Sequence, residues 1–263
     1  MNHRTLTLAA IVVLMLSAGS AEAVTSPADA TCRSGLMLAE RRLTFHLIRQ
    51  MGQCHVQRAR GRIRSDVDCN NPDNVPYPQA IARIQRSVAQ LAKTQCRGAS
   101  LPATLGFTTC PAPCGSGPLT SYQGDVADCL VCRARAAASA TMASTLGEPP
   151  VTGPHTFETF CVESMATGIR KFVSKRLEQQ RHCQFLHDRG RVSQTTDCRS
   201  GDLKGQVARS QQMVRYYLQR CKGSSRASVI ECGEGDLDAA SSCVAEIVES
   251  NAAALFDTVY SQP

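Results

Sequence analysis

Cysteine is the residue type in this 263-residue chain with the most chemistry open to it, and there are 14 of them. Four, Cys110, Cys114, Cys129 and Cys132, are arranged as C-x3-C and C-x2-C. As thiolates, four sulfurs at such spacing can hold a tetrahedral zinc ion. As oxidised pairs they are two disulfides. The run Cys129-Leu130-Val131-Cys132 also has the spacing of a thioredoxin-type redox pair, but no alternation of strand and helix surrounds it. Haem attachment needs a histidine after the second cysteine, and Arg133 stands there.

The choice between thiolate and disulfide depends on the compartment. Arg4 precedes an apolar run over residues 6–16, and the small-residue triplet Ala21-Glu22-Ala23 follows, the pattern of a secretory signal peptide spanning residues 1–23. That run falls short of the roughly 20 apolar residues needed to span a bilayer, and no later stretch approaches this length. Cleavage near Ala23 predicts a secreted or periplasmic protein, where an even number of cysteines is ordinarily paired. The core is otherwise thin, with no Trp and 5% aromatic residues, so disulfides compensate for weak apolar burial. A secreted enzyme, or a thiol- or zinc-dependent protein using the 110–132 cluster, is the alternative reading.

The cysteines also reveal an internal duplication. Cys32, Cys54 and Cys69 are separated by 21 and 14 residues, and so are Cys161, Cys183 and Cys198. The same superposition lays Arg41 on Arg170, Gln50 on Gln179, Asp68 on Asp197 and Arg60-Gly61-Arg62 on Arg189-Gly190-Arg191. Further along, Cys96-Arg97-Gly98 matches Cys221-Lys222-Gly223, and Gly124-Asp125 with Cys132 matches Gly235-Asp236 with Cys243. Unit one covers residues 32–147 and unit two 157–263. The Pro- and Gly-bearing segment 148–156 joins them.

Within each unit the apolar residues recur at steps of three and four. Leu36, Ala39, Leu43, Leu47 and Met51 do so, then Ile81, Ile84, Val88 and Leu91, and in unit two Met165, Ile169, Val173 and Leu177. Pro78 marks a helix start, Gly98 and Gly223 mark ends, and Asp125 and Asp236 suit N-caps. The predicted fold class is all-α: two tandem disulfide-stapled units of about three helices each.

Helix geometry constrains the bridges. Cys32 and Cys54 lie about 33 Å apart along one helix, beyond disulfide reach. An antiparallel second helix returns Cys96 to Cys32 and leaves Cys54 for Cys69. Unit two lacks counterparts of Cys114 and Cys129 alone, and a pair lost together suggests a bonded pair. The expected bridges are therefore Cys32–Cys96, Cys54–Cys69, Cys110–Cys132 and Cys114–Cys129, then Cys161–Cys221, Cys183–Cys198 and Cys232–Cys243.

The segment from Cys96 through Leu105-Gly106-Phe107-Thr108-Thr109-Cys110-Pro111, with Asp125-Val126-Ala127-Asp128-Cys129-Leu130-Val131-Cys132, resembles uncharacterised secreted cysteine-rich proteins of environmental bacteria, which often carry tandem copies. The resemblance covers most of unit one and, more loosely, unit two. It implies export and duplication, and no activity.

No nucleophile elbow, zinc-protease helix, phosphate loop or dinucleotide fingerprint is present, and the histidines do not superpose between units. No catalytic residue, cofactor or metal is therefore expected. Charge is more informative. Residues 32–146 hold 14 Lys and Arg against 6 Asp and Glu, residues 157–226 the same, and the end from Glu231 holds seven acids and no base. Such basic surfaces concentrate acidic polymers or anionic headgroups. Few aromatic residues are available to stack bases, so nucleic acid is not an expected partner. The candidate anion-binding residues are Arg58, Arg60, Arg62 and Arg64, crowded between Cys54 and Cys69, with Arg189 and Arg191 as a weaker counterpart. The plain alternative is that these arginines only solvate a helix surface. The reading is thus a non-catalytic exported structural or binding module, with anionic glycan or lipid headgroups as candidate partners.

Overall fold

The computed structural model describes residues 25–260 apart from positions 77, 116, 204, 222–225, 228, 234 and 235. The expected signal peptide lies outside the described residues, as do Lys222, Gly223 and Gly235. The chain is all-α, 67% helical with no strand among the described residues. Among the described residues six α-helices carry the fold: α1 (Pro27–Ala59), α2 (Pro78–Gln95), α3 (Ala127–Leu146), α4 (Phe157–Asp188), α5 (Gln206–Leu218) and α6 (Leu237–Tyr260).

The local sequence explains where the two longest helices begin and end. Ser26 caps α1, its hydroxyl accepting from the Asp29 backbone N–H at 3.1 Å, and Pro27 at the first position gives up no needed donor. Thr156 caps α4 in the same way through the Thr159 N–H at 3.2 Å. Past their last turns Gly61 and Gly190 take φ of 70° and 62°, a left-handed conformation that glycine adopts without steric cost. The expected caps of the third helices divide. Asp236 accepts from the Ala239 N–H at 2.8 Å at the start of α6. Asp125 does not cap α3: it sits in a π-helical turn, Tyr122–Val126, and its carboxylate accepts from the Thr120 and Ser121 N–H groups of the preceding loop. The extra turn before α3 displaces it from the cap position.

The ion pairs Arg33–Asp188, Arg41–Glu178 and Arg60–Glu163 match the start of α1 with the end of α4 and the reverse, so the two helices pack antiparallel. Their fully buried residues include Leu36, Met37, Leu43, Leu47, Ile48 and Met51 from α1 and Met165, Ile169, Phe172 and Leu177 from α4. The helices α3 and α6 also pack on one another, while α2 lies on α1 and α5 on α4. Equivalent helices of the two repeats thus meet each other, the arrangement of a two-fold isologous interface built within one chain. One core runs continuously through both repeats. Segment 148–156 is held to the end of α1, where the Thr152 and Gly153 N–H groups donate to the Ala59 carbonyl at 3.0 and 2.9 Å.

All 14 cysteines are joined in seven bridges. Cys32–Cys96 and Cys161–Cys221 tie the start of each long helix to the end of the next, and Cys54–Cys69 and Cys183–Cys198 close the loops after them. Cys232–Cys243 completes unit two. The expected Cys110–Cys132 and Cys114–Cys129 pairs are incorrect: the bridges are Cys110–Cys129 and Cys114–Cys132. Cys129 and Cys132 lie on one face of α3, one turn apart, and the loop before it meets them in order, buried Cys110 with buried Cys129. Unit two has lost one partner from each bridge. Its Cys232 and Cys243 stand where Cys110 and Cys132 do, and a connection eleven residues shorter between Cys232 and Gly235 lets them join.

Candidate anion-binding groove

The 110–132 cluster consists of two disulfides, and in that form its sulfurs offer no thiolate to a metal or to redox exchange. The basic candidates fare differently from one another. Arg58 is buried within α1, where its guanidinium donates to the carbonyls of Val67 at 3.2 Å and Pro149 at 3.3 Å and fixes the repeat junction. Arg60 pairs with Glu163 of α4 at 3.0 Å, and Arg64 with Asp66. Arg62 is exposed. The four are therefore not brought together as free charges, because α1 runs on past Cys54 and carries Arg58 inward on its own face. Arg189 of the counterpart loop lies over the Phe185 ring at 5.7 Å.

Unpaired positive charge collects instead along the seam of α1 and α4. The helices approach closely at Gly52, where an added Cβ would lie 2.7 Å from that of Ala166. Beside this contact is a groove of about 300 Å³ lined by Arg49, Gly52, Gln53, Arg60, Glu163 and Arg170. Arg170 leans over the Phe45 ring at 5.1 Å, and its Nε is buried with no hydrogen-bond partner. Burial and the nearby charge of Arg49 together lower its pKa. His46, next to this pair, is likewise held below the ordinary imidazole range by burial, Arg49 and Arg170. The acid of the groove, Glu163, is already engaged by Arg60.

The two-fold gives this groove a counterpart. A shift of 129 positions, from Cys32 to Cys161, relates α1 to α4 and carries Arg41 onto Arg170, Arg49 onto Glu178 and Gly52 onto Arg181. On the counterpart side Glu178 accepts from Arg181 at 2.6 and 3.1 Å and meets Arg41 at 3.3 Å. Burial raises the Glu178 pKa, but these two arginines outweigh it and hold the carboxyl below its usual range. One side is therefore a closed Arg–Glu–Arg cluster. The other has two arginines, a glycine and open space.

Sequence reasoning missed Arg49 and Arg170 as a site. The duplication contained the signal, since laying the repeats together places a base, Arg49, on an acid, Glu178, in the helix that both copies bury. No family model, curated protein or solved structure matches the chain.

Proposed function

We propose that this protein is an exported, non-catalytic binding module that takes an anionic glycan on its basic surface, centred on the α1–α4 groove. The observation that carries the reading is the pair Arg49 and Arg170, two guanidiniums lining one groove whose acid, Glu163, is already paired with Arg60. Holding like charges together costs repulsion, and an anionic partner relieves it. The polar lining, with Gln53, Gln57 and Thr167 beside the arginines, suits a hydroxyl-rich ligand better than an acyl chain. Seven disulfides fit an oxidising compartment, and among the described residues no helix is long and apolar enough to cross a membrane.

The test is retention on immobilised heparin over a salt gradient. The paired substitution Arg49→Gln and Arg170→Gln should elute earlier than the native protein and with a shallower salt dependence, since fewer counterions are exchanged. Replacing Arg62 and Arg64 should matter less. Retention unchanged by the groove substitutions would overturn the reading.

A further inference from the structure

We infer that a second sugar subsite adjoins the α1–α4 groove along α4: a cleft walled by Phe157, Phe160 and Tyr217 that takes the C–H face of a further pyranose ring of the same glycan. This rests on the reading of the protein as an anionic-glycan module and adds an uncharged contact, ring stacking, to the charged one.

The cleft, of about 540 Å³, lies between α4 and the end of α5, with Phe157, Phe160, Ser164 and Thr167 on one side and Tyr217 and Arg220 on the other. Glu163 and Thr167 line both this cleft and the groove, so the two openings adjoin. Glu163, held by Arg60 at 3.0 Å, belongs to their common wall. Phe157 and Phe160 stand one turn apart on α4 and are 56% and 52% exposed, so burial does not account for two phenyl rings there.

The other repeat shows that the fold does not need them. The shift of 129 positions that relates α1 to α4 lays Ala28 on Phe157, Thr31 on Phe160 and Gly35 on Ser164. The shift of 125 positions from Cys96 to Cys221 lays Ala92 on Tyr217 and Gln95 on Arg220. In unit one the Gln95 side chain covers Gly35 and leaves no room for a Cβ there. In unit two Arg220 is exposed, the Ser164 hydroxyl donates to the Tyr217 carbonyl at 3.2 Å, and Gly168 makes room for the Tyr217 ring. Lys171 holds the Tyr217 hydroxyl at 2.6 Å and fixes the place of that ring. A contact closed by small residues in one repeat is an aromatic-walled cleft in the other.

A pyranose ring suits such a wall, because its C–H groups meet the negative face of an aromatic ring while its hydroxyls turn outward to polar partners. Thr167 and Arg220 supply those partners beside the phenyl rings. An acyl chain would use the rings and offer nothing to the polar groups. A glycan held by Arg49 and Arg170 in the groove reaches the cleft with its next residues, past the wall that the two openings share.

The test is calorimetry with a size-defined heparin octasaccharide at low and at high salt. Phe160→Thr, the residue type that unit one carries as Thr31, should weaken binding about tenfold at both salt concentrations and leave the salt dependence unchanged, because stacking exchanges no counterion. Phe160→Tyr should bind as the native protein does. The paired substitution Arg49→Gln and Arg170→Gln should instead flatten the salt dependence, which reads the groove separately. Proton NMR of the bound octasaccharide should show sugar C–H signals moved upfield by the phenyl face in the native complex and not in the Phe160→Thr complex. Native affinity in Phe160→Thr, with the salt dependence flattened in the arginine variant, would overturn the subsite and leave the module reading standing. Weakened binding in Phe160→Thr with no effect of the arginine substitutions would overturn the groove and keep the cleft. Binding of phosphatidylglycerol vesicles that Phe160→Thr abolishes, with octasaccharide binding intact, would assign the cleft to lipid and overturn the sugar. Failure of the native protein to bind the octasaccharide would remove both.

Discussion

Arg41 and Glu178 form an ion pair at 3.3 Å, whereas Arg170 and Arg49, which stand in their places across the duplication, are two positive charges. Helices α1 and α4, aligned by their cysteine spacing, therefore carry different charges at matched positions. Because equivalent helices pack against each other, the two versions of the site lie in one molecule and can be compared without reference to any other protein.

The first prediction concerns the bridges. Peptide mapping of the unreduced protein should recover Cys110 linked to Cys129 and Cys114 linked to Cys132. Alkylation before reduction should label no cysteine. Recovery of Cys110 with Cys132 would return unit one to the pattern of Cys232–Cys243 and contradict the ordered approach of the loop to α3.

A second prediction follows from Glu40, fully buried in α1 with both carboxyl oxygens unpaired. Burial raises its pKa well above the ordinary range, with Arg133 a weaker opposing influence, so the folded protein holds this proton to higher pH than the unfolded chain does. Its contribution is fully present below the unfolded pKa and is lost as pH rises through the folded one. Glu40→Met should therefore stabilise the protein at neutral pH by about 2 kcal/mol and flatten that decline. Arg133 does not lose its partners, since it donates to the carbonyls of Ala112 and Ala254 and to the Thr258 hydroxyl. Urea unfolding at pH 5 and pH 8 reads both effects.

His55 acts in the opposite direction. It is fully buried, its Nε2 donates to the Asn70 side-chain oxygen at 2.9 Å, and Asn70 in turn donates to the Gly147 carbonyl at 2.8 Å, joining α1 to the end of α3. Burial pushes its pKa down to about 4. The unfolded chain takes up a proton near the ordinary imidazole pKa and the folded one does not. Stability therefore falls as pH drops from the ordinary value toward the folded one, by about 3 kcal/mol in all. His55→Gln keeps a donor for Asn70 and should flatten this acid limb while leaving the Glu40 limb in place. An unchanged acid limb would contradict the assignment.

Arg176 supplies a fourth prediction. It is almost fully buried, pairs with Glu249 of α6 at 2.5 Å and donates to the carbonyls of Arg199 at 2.7 Å and Gly201 at 2.9 Å. Leu47 occupies the equivalent position in unit one. Arg176→Leu should nevertheless destabilise the protein by about 3 kcal/mol, because Glu249 and the Gly201 carbonyl lose their partner and the Arg199 carbonyl keeps only Gln180. Adding Glu249→Gln should recover part of that loss.

How much of this was legible in the sequence depends on the range of the interaction. Helix ends are local, and Ser26-Pro27, Thr156, Gly61 and Asp236 encode them in a few residues. The outer bridges Cys32–Cys96, Cys54–Cys69, Cys161–Cys221 and Cys183–Cys198 were legible because a long helix separates its own cysteines beyond disulfide reach. Asp125 was misread because a π turn adds residues that a regular helical period does not foresee. The inner pairing of Cys110 and Cys129 was misread because loss of two cysteines from unit two says nothing of which were bonded once the loop itself has shortened. The crowding of Arg58, Arg60, Arg62 and Arg64 was real in sequence, but α1 carries Arg58 into the interior. The packing of α1 on α4 had no local signal: it follows from apolar residues on several faces of both helices and from the close approach at Gly52, which acquire meaning only when the partner helix is known.

The most direct measurement of the central claim is the titration of His46 by NMR, with and without a saturating heparin oligosaccharide. His46 is held down by burial and by the charges of Arg49 on its own helix and Arg170 on α4. An anionic sugar group bound beside those arginines offsets their charge and leaves the burial of the ring unchanged. The account predicts that the His46 midpoint moves upward when the oligosaccharide binds while that of buried His55 remains near 4. A His46 midpoint unmoved at saturation would contradict it.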